Sequence, residues 1–260
     1  MRIILHPGFH KTGTSSLQAY LTANRAALAA HVRIVLLDEL KEPLRFATHY
    51  SIGQDPFDLA GFTASFAHIC EGWAQHSSQT LVISCEGLSG RTPGKRGIMD
   101  YAAAAPLAGG METAIRAVFG GKVDMTLLYT TREPDAWLSS AWRHNLMGYR
   151  VTEDFETFCA LYGRSADFAA IIDQIRGVLR RAKLVVTPLE TVSAAPVGPA
   201  EAILQLLDLP QGLRAGLHNP GLRNAGITAG QAAQLLAINR SDVTDADAKR
   251  LKASVIGLRC

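Results

Sequence analysis

Residues 6–16 read HPGFHKTGTSS and bring together what a bound phosphate needs. Gly8 and Gly13 allow the backbone to wrap closely around an anion. Lys11 supplies a positive charge, while Thr12, Thr14, Ser15 and Ser16 supply hydroxyls and the amides of a helix start. The spacing nearly matches the nucleoside-triphosphate loop G-x-x-x-x-G-K-[ST], with both glycines in register and Ser15 at the final hydroxyl. The lysine is displaced. Thr14 occupies its place and Lys11 precedes the second glycine, where it does not serve the β- and γ-phosphates as the usual lysine does. The loop taken alone leaves a second reading open, an ordinary glycine turn with Thr14 capping the next helix.

Three further positions carry candidate chemistry. In LLYTTREPDAWLSSAW (127–142) Arg132 and Ser140 stand eight residues apart, with Pro134 suited to a first helical turn. A guanidinium offers a forked donor to a phosphate dianion, and the serine adds a hydroxyl. The alternative for Arg132 is a weak surface pair with Glu133 or Asp135. Glu86, in LVISCEGLSG, follows a hydrophobic run and is suited to act as a general base for a hydroxyl. It would serve equally as the magnesium partner of a nucleotide loop, or simply pair with Lys11 or Arg91. His10, beside Lys11, is a rival base or a loop histidine bonded to backbone. Trp137, Trp142 and His144 share one helical stretch and read as core or groove lining.

These positions need a scaffold, and the hydrophobic pattern indicates one. Continuous apolar runs at 2–5, 33–37, 80–84, 125–130 and 183–187 predict strands buried on both faces of a parallel sheet. Between them, periodic stretches after Leu17 and at 58–75, 134–147 and 166–182 predict helices. The alternation predicts an α/β fold with an open, mainly parallel sheet of about five strands, flanked by helices and followed by a helical C-terminal portion. Ligands of such sheets bind at the C-terminal strand ends, where the loop and Glu86 fall. No linker divides the chain, so residues 1–260 are expected to form one P-loop-type domain. Segment 87–110 reads as a loop placed to gate an acceptor, offering Arg91, Lys95 and Arg96 to an anionic one. HNPGLRNAGIT (218–228) reads as a second loop.

The displaced lysine resembles the 5′-phosphosulfate loop of sulfotransferases that use 3′-phosphoadenosine 5′-phosphosulfate, particularly bacterial, carbohydrate-sulfotransferase-like members. Their loop is a lysine, one residue, then G-T-[TS], leading into a leucine-bearing helix. The resemblance implies that Lys11 reaches the oxygen bridging phosphate and sulfate. Thr14 and Ser15 would then hold the 5′-phosphate, with Thr12, Gly13 and Ser16 lining the loop. The second motif resembles the family's R-x-P-x-x-R-x-x-S clamp for the 3′-phosphate, with Arg132 and Ser140 in register and Trp137 in place of the second arginine. Several carbohydrate sulfotransferases use a glutamate near the position of Glu86 as base, and a late glycine- and arginine-containing loop closes over the donor. That resemblance puts Arg223, with Asn224 beside it, in the donor pocket.

The function expected is therefore sulfuryl transfer from that donor to an acceptor hydroxyl on a carbohydrate or glycosylated metabolite, with no metal required. A P-loop kinase and a non-catalytic module binding the same nucleotide are the alternatives. A net charge of +3 without a dense basic block argues against nucleic acid as a partner. Four cysteines without a C-x-x-C pair argue against a zinc site or disulfide framework and are expected in a reducing, cytoplasmic setting. No apolar run reaches membrane-spanning length. The acceptor's identity and the oligomeric state are not encoded in any of these motifs.

Overall fold

Five short runs rich in valine, isoleucine and leucine form the centre of the molecule. The computed structural model describes residues 1–74, 79–95, 97–221 and 226–257. In chain order the elements are β1 (Arg2–His6), α1 (Thr14–Ala23), α2 (Arg25–Leu28), β2 (Val32–Val35), α3 (Lys41–Gly53), α4 (Pro56–Trp73) and β3 (Thr80–Ser84). They continue with α5 (Ala104–Phe119), β4 (Asp124–Thr131), α6 (Pro134–Gly148), α7 (Phe155–Tyr162), α8 (Phe168–Val178) and β5 (Lys183–Pro188). Short helices α9 (Leu189–Ser193), α10 (Glu201–Leu204) and α11 (Gln211–Ala215) precede a terminal pair, α12 (Ala229–Arg240) and α13 (Asp245–Val255).

All strand pairs are parallel, in the order β2-β3-β1-β4-β5. Side chains alternate across the sheet, as the strand period requires. Ile3, Leu5, Leu81, Ile83, Met125 and Leu127 face the larger core, built with α3, α4, α5 and α8. Ile4, Val82 and Leu128 face the opposite core with Leu17, Tyr20 and Leu21 of α1. Burying each such leucine or isoleucine is worth about 1.5–3 kcal/mol, so the central strands are held firmly from both faces. β5 departs from the expectation of burial on both faces. It is an edge strand with every residue at least partly exposed.

The helices match the sequence expectations less evenly. The periodic stretch expected after Leu17 breaks at Asn24, whose side chain bonds the carbonyls of Tyr20 (2.9 Å) and His218 (2.8 Å) and accepts the His218 amide (2.7 Å). The segment read as a loop over 87–110 is irregular only to residue 103. Ala104 onward is α5, and its glycine pair marks close helix packing, because a Cβ on Gly110 would stand 2.7 Å from the Thr63 hydroxyl of α4. Helices α3 and α7 were not expected. The terminal pair packs on α6 through Leu146, Val151, Ile227 and Leu235. Lys252, nearly buried, donates to the carbonyls of Leu146 (2.9 Å) and Tyr149 (2.8 Å) and to Asn239 Oδ1 (3.0 Å), closing the C-terminal end of α6.

Candidate functional site

The glycine loop starts where β1 ends and stands on a buried polar floor. His6 Nδ1 lies 2.9 Å from Ser84 Oγ of β3, and its Nε2 lies 3.4 Å from Thr130 Oγ1 of β4. Thr130 in turn shares a 2.7 Å hydrogen bond with the Thr12 hydroxyl. One buried histidine thus ties the three central strands to the loop, and burial lowers its pKa to about 4, so it is neutral near pH 7. The hydroxyls of Thr12 (2.6 Å) and Thr14 (3.3 Å) donate to the Phe9 carbonyl and curl the loop around it.

Three residues of the loop adopt left-handed backbone, Gly8 (φ 57°), Lys11 (φ 67°) and Gly13 (φ 92°). Only Lys11 has a side chain that makes this costly, by roughly 1–2 kcal/mol. Its neighbours hold it there. Arg132 Nη1 donates to the Lys11 carbonyl (3.1 Å), and Trp137 Nε1 donates to the His10 carbonyl (2.8 Å). Gly13 is also required by packing, since a Cβ there would lie 2.8 Å from Leu189 and 2.9 Å from Pro199. Gly13 itself stands at the cap position of α1, so Thr14 is the first helical residue rather than the cap. Ser15 is exposed at this first turn, Ser16 is half-buried, and Thr12 and Thr14 are buried.

Arg132 leaves the end of β4 and is half-buried over the loop. No carboxylate lies within 4 Å of it among the described residues; the acid that acts on it is Glu190, not the Glu133 or Asp135 weighed from sequence. Burial lowers its pKa, and Glu190 opposes that. Lys11 is lowered likewise by burial and by Arg132, with Glu86 opposing. Ser140 is half-buried on α6, three residues beyond Trp137 and therefore on a neighbouring part of the same helix face. Arg223 and Asn224 lie outside the described residues, as do Arg96 and Cys260.

Glu86 opens a short 3-10 turn, Glu86–Ser89, just past β3. Gln18 of α1 donates to its Oε2 (2.9 Å) and to the Ser84 carbonyl (3.3 Å), so an amide rather than Lys11 or Arg91 holds this acid. His10 is half-buried, with Nδ1 3.5 Å from the Tyr101 hydroxyl. Burial first, then Lys95, His144, Arg91 and Lys11, push its pKa down to about 3. His144 is lowered to about 4 by burial, Lys95 and Lys11. Both imidazoles are therefore neutral and weakly basic near pH 7.

Two cavities adjoin this centre. One, of about 320 Å³, lies on the β2–β3 side and is lined by His10, Gln18, Glu86, Arg91, Lys95 and Tyr149, with Leu37 and Leu44 at its apolar flank. The other, of about 400 Å³, opens beside Arg132, Phe168, Pro188 and Glu190 on the β4–β5 side. No group of three or more histidine, cysteine, aspartate or glutamate side chains that could hold a metal occurs among the described residues.

No protein-family model matches the chain, and no curated protein does. A solved structure is similar to it in outline. It is the crystal structure of a sulfotransferase from Alicyclobacillus acidocaldarius, with 17% sequence identity, 99% of this chain and 96% of that one covered, and a TM-score of 0.47.

The fold thus brings Lys11, His10, Glu86 and Arg132 to one edge of the sheet, with Ser140 on the adjoining helix. Sequence reasoning missed Gln18, Thr130 and Tyr101. Gln18 carried a faint signal, one helical turn after Thr14 on the helix that leaves the loop. Thr130 and Tyr101 carried none, because only the strand order brings them to the loop.

Among the described residues no helix is long and apolar enough to cross a membrane.

Proposed function

We propose that this protein is a sulfotransferase, moving the sulfuryl group of 3′-phosphoadenosine 5′-phosphosulfate to a hydroxyl on a carbohydrate or glycosylated metabolite. The observation that carries this reading is the hydrogen bond from Arg132 to the Lys11 carbonyl (3.1 Å). It joins two motifs 121 residues apart, each of which resembles one half of a bisphosphate donor site. The charge pattern supports it too: among the described residues neither Lys11 nor Arg132 has a carboxylate within 4 Å, as suits cations that receive a phosphate or sulfate.

The chemistry assigned to the residues is an in-line displacement dominated by positioning and charge. Arg132, with Ser140, receives the 3′-phosphate, and the first turn of α1 at Thr14 and Ser15 receives the 5′-phosphate. Lys11 neutralises charge growing on the bridging oxygen as its bond to sulfur breaks. Glu86, oriented by Gln18, takes the proton of the acceptor hydroxyl as the new oxygen–sulfur bond forms. The nucleotide leaves as 3′,5′-bisphosphoadenosine, and the proton passes from Glu86 to solvent. The residues present suit the donor without a metal ion, because arginine and lysine supply the charge a cation would otherwise bring.

Calorimetry on the purified protein tests the donor. Binding of 3′,5′-bisphosphoadenosine should exceed that of ADP or ATP and should be indifferent to Mg²⁺. ATP binding that equals it and requires magnesium would replace this reading with a kinase. Normal bisphosphate binding without sulfate transfer to any of a broad panel of hydroxyl acceptors would favour a nucleotide-binding module.

A further inference from the structure

The cavity beside Glu86 holds more positive charge than the donor reading uses. Lys95 is only 8% exposed, and its ammonium stands 4.8 Å from the centre of the Tyr149 ring. The Arg91 guanidinium donates to the Tyr149 hydroxyl (3.3 Å). Among the described residues neither cation has a carboxylate within 4 Å, and both line the cavity. A buried ammonium without a counter-charge is costly to a fold unless something else repays it. The strain shows in Lys95 itself, whose pKa burial, Arg91 and Lys11 lower to about 8.

The segment that carries these cations is pinned in place. The Arg91 amide donates to Ser51 Oγ of α3 (3.1 Å), and Asn145 Nδ2 of α6 donates to the Pro93 carbonyl (3.1 Å). Two backbone bonds flank Lys95: the Gly94 amide donates to the Ile98 carbonyl (2.9 Å), and the Ile98 amide donates to the Lys95 carbonyl (3.0 Å). The charges are thus presented on a prepared surface rather than on a loose lid. They also lie on the β2–β3 side, whereas Arg132 and Ser140 follow β4, on the other side of β1.

We propose that the acceptor is itself an anion, carrying a carboxylate or ester sulfate that Arg91 and Lys95 receive while its hydroxyl faces Glu86. This rests on the sulfotransferase reading and extends it to the substrate class. The cavity of about 320 Å³ is near the small end of the usual ligand-pocket range of about 300–1,000 Å³. It therefore suits a small ring bearing the two groups, with Leu37 and Leu44 against the ring's apolar face.

The test uses the full chain saturated with 3′,5′-bisphosphoadenosine, so that the donor's phosphate sites are occupied. It is titrated calorimetrically with methyl β-D-glucuronide and with methyl β-D-glucoside, which differ in one charge. The glucuronide should bind at least about tenfold more tightly. Lys95→Met, which keeps the side chain's length, and Arg91→Ala should each remove most of that preference, and Lys95→Arg should retain it. Bisphosphate affinity should stay unchanged in all three, which also reports that they are folded; the two sites provide independent variants should one fail. Equal affinities for the two glycosides, no measurable binding of the glucuronide, or a preference that survives both substitutions would overturn the proposal. Failure of the bisphosphate to bind the unaltered protein would instead remove the sulfotransferase reading beneath it.

Discussion

Lys11, Glu86 and Arg132 divide the proposed reaction, and each makes a separate forecast. Arg132→Ala should weaken binding of 3′,5′-bisphosphoadenosine by about 1.5–3 kcal/mol, the range for a hydrogen bond to a charged group. It should scarcely alter binding of 5′-AMP, which lacks the 3′ group. Equal losses for both nucleotides, measured by calorimetry, would make the arginine a brace for the loop only, through its bond to the Lys11 carbonyl. Lys11→Ala should chiefly lower kcat, because its charge is needed as the bridging oxygen becomes negative. Glu86→Gln should leave donor affinity intact and reduce single-turnover rates by roughly 10²–10⁴. The amide can still accept the Gln18 hydrogen bond but cannot take a proton. His10 is the rival base, and its pKa near 3 makes it a poor one at neutrality. A severe loss in His10→Ala together with near-normal turnover in Glu86→Gln would reverse that assignment.

At the scale of elements, the approach of α9 and the Pro199 turn to the glycine loop sets the tolerance of the site. Gly13→Ala should destabilise the protein by about 1–3 kcal/mol, through its left-handed backbone and the contacts with Leu189 and Pro199. Gly148→Ala, at the end of α6 with nothing within 4 Å of its added carbon, should be neutral or slightly stabilising in the same urea titrations. Comparable losses in the two variants would mean that the loop is not packed as described. Strands and the loop motif were legible in the sequence because their signals are local: an apolar run, a glycine pair, an arginine before a proline. Helices α3 and α5 were not. Pro43 interrupts the pattern of α3 yet sits harmlessly in its first turn, and the glycines of α5 imitate a loop while serving a helix contact. Gln18 beside Glu86, and Thr130 beneath Thr12, escaped for another reason. Their roles exist only once α1, β3 and β4 are neighbours, and no spacing in the chain records that adjacency.

For the whole molecule, three histidines predict how the fold answers acid, His6 foremost because it alone of them is fully buried. His6 has its folded pKa lowered from 6.5 to about 4, and His10 and His144 are lowered as well. As pH falls below 6.5 the unfolded chain takes up protons that the folded chain refuses, so stability is full above that value and declines toward about 4. His6 alone should contribute a loss of about 2 kcal/mol near pH 5, seen as a lower urea midpoint. A midpoint unchanged between pH 7 and 5 would show that the His6 imidazole reaches water. The strand order has a consequence of a different kind, for how such a protein can be inherited in pieces. β1 stands between the β2–β3 cavity and the Arg132 clamp, so exchanging residues 37–54 and 87–103 for foreign sequence, with Glu86 and 127–142 kept, should alter the acceptor side and spare the donor side. Chimeras made by that exchange would carry one nucleotide pocket into many acceptor repertoires. Their incompatibilities should gather where the swapped segments meet the retained ones, at Phe46 of α3 against Gly61 of α4 and at Pro93 and Gly94 against Asn145 of α6, because there the two lineages must still fit each other.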